Sequence, residues 1–125
     1  MDSKDIDEFE KVEAQLKGFH EELQTLSKKS PDDPVNKFKL RHINSVLAGA
    51  NKLMTQTQRP FQDFEQFGVD DLSTNSDVLL ILRQYASCFE ETRSANIYLA
   101  EYGGWYWLIR GKKSDRQARP PKKLE

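Results

Sequence analysis

A chain of 125 residues with 37% apolar and 31% charged residues holds enough material for one domain with a thin core, and its regular apolar spacing separates it from a disordered chain. Its one cysteine, Cys88, excludes an internal disulfide framework, and no apolar run approaches the ~20 residues that span a bilayer. The net charge of −1 hides an asymmetry: after residue 109 seven basic residues stand against two acidic ones, a net +5, so the preceding part carries −6.

Residues 3–29 read as a first helix. Phe9, Val12, Leu16, Phe19, Leu23 and Leu26 recur in steps of three and four, which lines them on one face. Ser3 is the expected N-cap. The stripe also reads as an a/d repeat, so pairing with a second copy is an alternative way to bury it.

Ser30-Pro31-Asp32-Asp33-Pro34 breaks the helix. Asp33 before Pro34 fits an N-cap with proline at the first helical position, where its missing N–H costs nothing. A second helix then runs to about Thr57, with Leu40, Ile43, Leu47, Ala50 and Met54 on one stripe. The short connection favours an antiparallel hairpin of helices.

Residues 58–73 form a phenylalanine-rich connection. Phe61, Phe64 and Phe67 are three apart, the spacing of a short helical turn that would plug the open end of a bundle. Thr74 with Asp77 resembles a capping box. A third helix should start there and reach at least Leu99. Its first turns are apolar on most sides, which places it between the other two.

Gly103-Gly104 breaks the chain again, and Trp105-Tyr106-Trp107-Leu108-Ile109 has strand composition. The loop Arg110-Gly111-Lys112-Lys113-Ser114-Asp115 could reverse it into a small hairpin, the alternative being a fourth short helix. If Trp105 and Trp107 share one strand face, Tyr106 takes the other. Pro120-Pro121 stops regular structure, and the last few residues are expected to be disordered.

The chemistry-bearing residues are sparse. His20, His42 and Cys88 lie far apart in sequence and lack the paired spacing of a zinc site. Cys88 sits among apolar neighbours, where burial would keep its thiol protonated. Asp63, Glu65, Asp70 and Asp71 do not match a calcium loop and read as a solvated acidic connection. No nucleophile elbow or phosphate-binding glycine loop is present. The expectation is therefore no metal, no cofactor and no catalysis.

These readings combine into an all-α fold: a three-helix up-down bundle over 1–109, including the aromatic segment 102–109, followed by a basic tail over 110–125. The expected function is a non-enzymatic protein–protein interaction or regulatory module, self-associating in one version. The expected location is the cytoplasm, without membrane contact. The acidic start Met1-Asp2-Ser3-Lys4-Asp5, which lacks a signal region, fits that expectation. The candidate contact residues are Phe61, Phe64 and Phe67 in the connection, and Trp105, Trp107, Arg110, Lys112 and Lys113 near the end. Aromatic rings beside lysines and arginines also suit base stacking with phosphate contact, so nucleic-acid binding through this end is the competing expectation. The acidic pI near 6.1 weighs against it.

Overall fold

The apolar stripe of the first helix becomes the spine of the core. In the computed structural model, which describes residues 1–55 and 57–122, α1 spans Ser3–Lys29 and buries Ile6, Phe9, Val12, Leu16 and Leu23. Its N-cap is Asp2 rather than Ser3. The Asp2 carboxylate accepts from Asp5 N–H while the Asp5 side chain accepts from Asp2 N–H, a reciprocal capping box.

The second helix, α2 (Lys37–Leu53), starts later than the Asp33-Pro34 pair suggests. Pro34 forms a bridge with Thr74, and Val35 N–H donates to the Ser73 carbonyl at 2.9 Å. These residues are therefore held extended beside the start of the third helix, and Asn36 becomes the cap by accepting from Lys39 N–H. The third helix, α3 (Asn75–Ser94), starts at its expected cap, Thr74. It ends five residues short of Leu99, because Asn96 turns its amide back onto the Thr92 carbonyl at 2.7 Å.

The all-α expectation is overturned at this point. Ile97–Leu99 is a strand, β1, that pairs antiparallel with β2 (Trp105–Ile109), which pairs in turn with β3 (Lys112–Gln117). The fold is α+β: three helices and a three-stranded antiparallel sheet in the order β1-β2-β3. Aromatic and β-branched residues at 97–99 and 105–109 fit a pleated, half-buried surface better than a helix. The helical reading of 97–99 failed because the apolar period was extended through a segment too short to distinguish the two.

A second correction concerns the centre. α1, not α3, is the shared helix, lying along both α3 and α2. α3 leaves Leu80 exposed and Ile81 half-buried, so its broad apolar girth is not fully used. The sheet closes the far end of the α1/α3 pair. Phe9 stacks on Phe89 with ring centroids 4.6 Å apart, and Trp107 meets Phe9 edge-on at 5.6 Å. Burying each of these side chains contributes on the order of 2 kcal/mol.

The 58–73 connection forms no helix among the described residues, only isolated turns. It is irregular and clamped by polar side chains. Asn44 of α2 donates to the Phe67 carbonyl and accepts from Phe67 N–H, both at 2.9 Å, as a neighbouring strand would. Asn51, two helical turns on, donates to the Glu65 carbonyl and accepts from the Tyr85 hydroxyl at 2.7 Å. Among the described residues, no helix is long and apolar enough to cross a membrane.

Candidate binding surface

Strand parity sorts the C-terminal aromatics onto two faces. Trp105, Trp107 and Ile109 turn inward, with Trp107 only 1% exposed and the other two partly buried against the core. Tyr106 turns outward. Opposite it on β1 stands Tyr98, its ring centroid 6.0 Å away, and Lys113 of β3 places its Nζ 5.5 Å from the Tyr98 ring centroid. The Tyr98 hydroxyl reaches across β2 to the Ser114 carbonyl, and Ser114 Oγ donates to the Trp107 carbonyl at 2.6 Å. These bonds fix the tyrosine ring rather than leaving it free to collapse.

Two turns frame this face. At one end Leu99 and Tyr102 are exposed, Tyr102 almost completely at 97%. Gly103 and Gly104 both take positive φ there, and a Cβ on Gly104 would come within 3.3 Å of the Tyr106 ring. At the other end Arg110 and Gly111 form a two-residue hairpin turn, with φ of 52° and 76°. Positive φ at both positions is the requirement of a type I′ turn, and arginine is an unfavoured occupant of the first. The Arg110 N–H donates to the Met1 carbonyl at 3.0 Å, which ties the turn to the N-terminus. Asp2 nearby has its carboxyl pKa lowered, chiefly by the hydrogen bond from Asp5 N–H, with a smaller contribution from the Arg110 charge.

The basic residues of 110–119 divide into two sets. Arg116 bonds Asp7 and Glu10 of α1, each at 2.7 Å, and Arg119 bonds Glu13. Arg110, Lys112 and Lys113 form no ion pair among the described residues. Residues 123–125, part of the expected disordered end, lie outside the described residues.

The phenylalanines stand apart from this surface. Phe67 is buried, Phe64 packs 5.1 Å from Phe67 and 6.4 Å from Tyr85, and Phe61 is 37% exposed. The loop rings therefore contact Tyr85 of α3, whereas the sheet ring Trp107 contacts Phe9 of α1. Of the eight expected contact residues, the structure groups Arg110, Lys112 and Lys113 on the exposed hairpin, turns Trp105 and Trp107 beneath it, and puts the phenylalanines elsewhere. Tyr98 was missed because it was assigned to a helix; reading 97–99 as a partner for 105–107 would have found it.

No three of the His, Cys, Asp and Glu side chains converge as a metal site among the described residues. Burial raises the pKa of Cys88. Comparison with known protein families, with curated proteins and with solved structures found no match.

Proposed function

We propose that this chain is a non-enzymatic interaction module that binds an acidic protein segment on the outer face of its sheet. The carrying observation is the alignment of Tyr98, Tyr106 and Lys113 on the outward face of the sheet, with both rings half-buried and Lys113 exposed. Arg110 and Lys112 stand at its edge without ion-pair partners among the described residues. Tyrosine and arginine are the residue types that anchor interfaces, because they offer large contact area and several donors. Unpaired cations at the rim select a negative partner and speed its arrival. Tyr102, almost fully exposed in the β1–β2 turn, adds apolar contact at one end of it. A reducing, cytoplasmic setting suits the protein's lone thiol.

Nucleic-acid binding is the second reading, and the half-buried rings of Tyr98 and Tyr106 beside Lys113 are what favour it. The inward turn of Trp105 and Trp107 and the engagement of Arg116 and Arg119 by carboxylates remove much of its original basis. A fluorescent peptide alternating glutamate and tyrosine, and a labelled single-stranded oligonucleotide, can be titrated with the full chain. Peptide binding that is lost in Lys112→Glu/Lys113→Glu and in Tyr106→Ala supports the proposal. Oligonucleotide binding with a steep salt slope, and no peptide binding, would transfer the surface to the second reading.

A further inference from the structure

Charge sets α2 apart from the other helices. It carries Lys37, Lys39, Arg41 and Lys52 and no aspartate or glutamate, in a chain whose net charge is −1. Lys37 pairs with Asp70 and Lys39 with Glu22, whereas Arg41 and Lys52 form no ion pair among the described residues. The free cations belong to a pattern. Phe38, Arg41, Ser45, Ala48 and Lys52 recur in steps of three and four, and all are exposed. They therefore form one outward stripe along the helix, on the side turned away from the core. Phe38 is 67% exposed, and its ring meets His42 edge-on with centroids 4.5 Å apart.

Beside the stripe runs a groove of about 350 Å³ between α2 and α1, with Val12, Phe19, Val46 and Gly49 among its walls. The helices approach closely there, since a Cβ on Gly49 would lie 3.3 Å from Val12 Cγ2. The α1 wall runs from Glu8 to Phe19, about 16 Å or three turns at the helical rise. Lys11 stands on that wall, exposed and without an ion pair among the described residues, and Glu8 is the groove's one acid. Aromatic rings and arginines at the border of a concave surface are the groups that interfaces use.

We infer that the outward stripe of α2 and the adjoining groove form a docking site for an acidic amphipathic helix of a partner protein. A straight channel walled by two helices suits a third helix laid along it. The apolar stripe of the partner covers Phe38 and the groove, and its carboxylates meet Arg41 and Lys52 on one flank and Lys11 on the other. Charge complementarity sets the occupant. A second copy laid symmetrically would bring two α2 helices together, cation against cation, with no acid on either to offset them. No residue of the sheet lines the groove, so this site stands or falls independently of the sheet face.

The test titrates the full chain with two fluorescein-labelled synthetic helical peptides of about 18 residues. Both carry a stripe of leucine and alanine; one is flanked by glutamates and the other by lysines. In anisotropy measurements at low salt, the glutamate peptide should bind at least about tenfold more tightly than the lysine peptide. Arg41→Glu/Lys52→Glu should reverse that order. Ser45→Trp, at an exposed position, should block binding by filling the groove. Arg41→Ala/Lys52→Ala is the gentler variant should the charge reversal unfold the chain, and it should bring the two affinities together. Lys112→Glu/Lys113→Glu should leave binding of the glutamate peptide unchanged. Equal binding of the two peptides, or binding indifferent to the α2 variants, overturns the proposal, as does loss of binding in Lys112→Glu/Lys113→Glu. Concentration-dependent dimerisation that Arg41→Glu/Lys52→Glu abolishes also overturns it, by assigning the face to a second copy. Binding of a duplex oligonucleotide without binding of either peptide overturns it in favour of a phosphate backbone.

Discussion

The phenylalanine connection and the aromatic sheet carry similar densities of rings, yet they are held by different means. In the sheet, backbone pairing fixes parity, and parity alone sends Trp107 into the core and Tyr106 to the surface. In the connection no ladder exists, and the rings of Phe64 and Phe67 are positioned by polar side chains of α2 gripping the backbone at or beside them. Neighbouring aromatics in a strand therefore have opposite roles by rule, whereas those in a loop have roles set one anchor at a time. Phe67 is buried because Asn44 holds its backbone; Phe61 has no such hold among the described hydrogen bonds and stays partly exposed.

Substitutions separate the two means. Trp107→Ala should have the largest effect, about 3–5 kcal/mol, since it empties the site against Phe9. Tyr106→Ala on the same strand should cost less than ~1 kcal/mol while removing part of the proposed contact face. Urea denaturation of both variants measures the contrast. Comparable losses would mean that the two faces of the sheet are equally structural.

Asn44→Ala comes next. It leaves the buried N–H and C=O of Phe67 unpaired, at a cost of about 2 kcal/mol. Amide exchange should accelerate locally over residues 64–69 while the sheet keeps its protection. If exchange rises uniformly, the connection is part of the global unfolding unit and not an independently anchored loop. Smaller still is Arg110→Asn, which places a residue tolerant of positive φ at the first position of the β2–β3 turn. A gain of a few tenths of a kcal/mol is expected, with weaker binding of the acidic peptide because one rim cation is lost.

These residues also explain how much could be read beforehand. The α1 stripe and the α3 cap were legible, because helical period and capping chemistry are local. That Tyr106 takes the face opposite Trp105 and Trp107 in a strand was legible from alternation, but which face meets the core was not, and the tryptophans were the expected contact residues. β1 was not: three residues carry no usable period, and Ile97-Tyr98-Leu99 becomes a strand only through its partner six to ten residues later. The Asn44 and Asn51 clamps were hidden for a related reason. Polar residues on an apolar helix face look like flaws until the backbone they satisfy is known. The ion pairs of Arg116 and Arg119 span more than 100 residues, and charge asymmetry announced only that such pairing was available.

Acidification should give the smallest effects, and it acts oppositely at two sites beneath the C-terminal segment. Burial lowers the pKa of His20 below 6.5, helped by the charges of Arg83 and Lys122 and opposed by Glu21. Above 6.5 the imidazole is neutral in folded and unfolded chains alike and contributes nothing to pH dependence. As pH falls below 6.5 the unfolded chain takes up the proton first, so the wild type should lose stability relative to His20→Gln. Glu13 behaves in the reverse sense. Burial raises its pKa above 4.5, outweighing the attraction of Arg93 and Arg119, while Glu90 adds to the rise. As pH falls toward 4.5 the folded chain binds this proton first, so the wild type should gain relative to Glu13→Gln. Urea midpoints of wild type, His20→Gln and Glu13→Gln at a series of pH values between neutrality and 4.5 test both signs. Parallel curves would mean that neither group senses burial under residues 119–122. Opposite slopes in the stated windows would show that His20 and Glu13 are both buried in solution, as they are where residues 119–122 lie over α1 and α3.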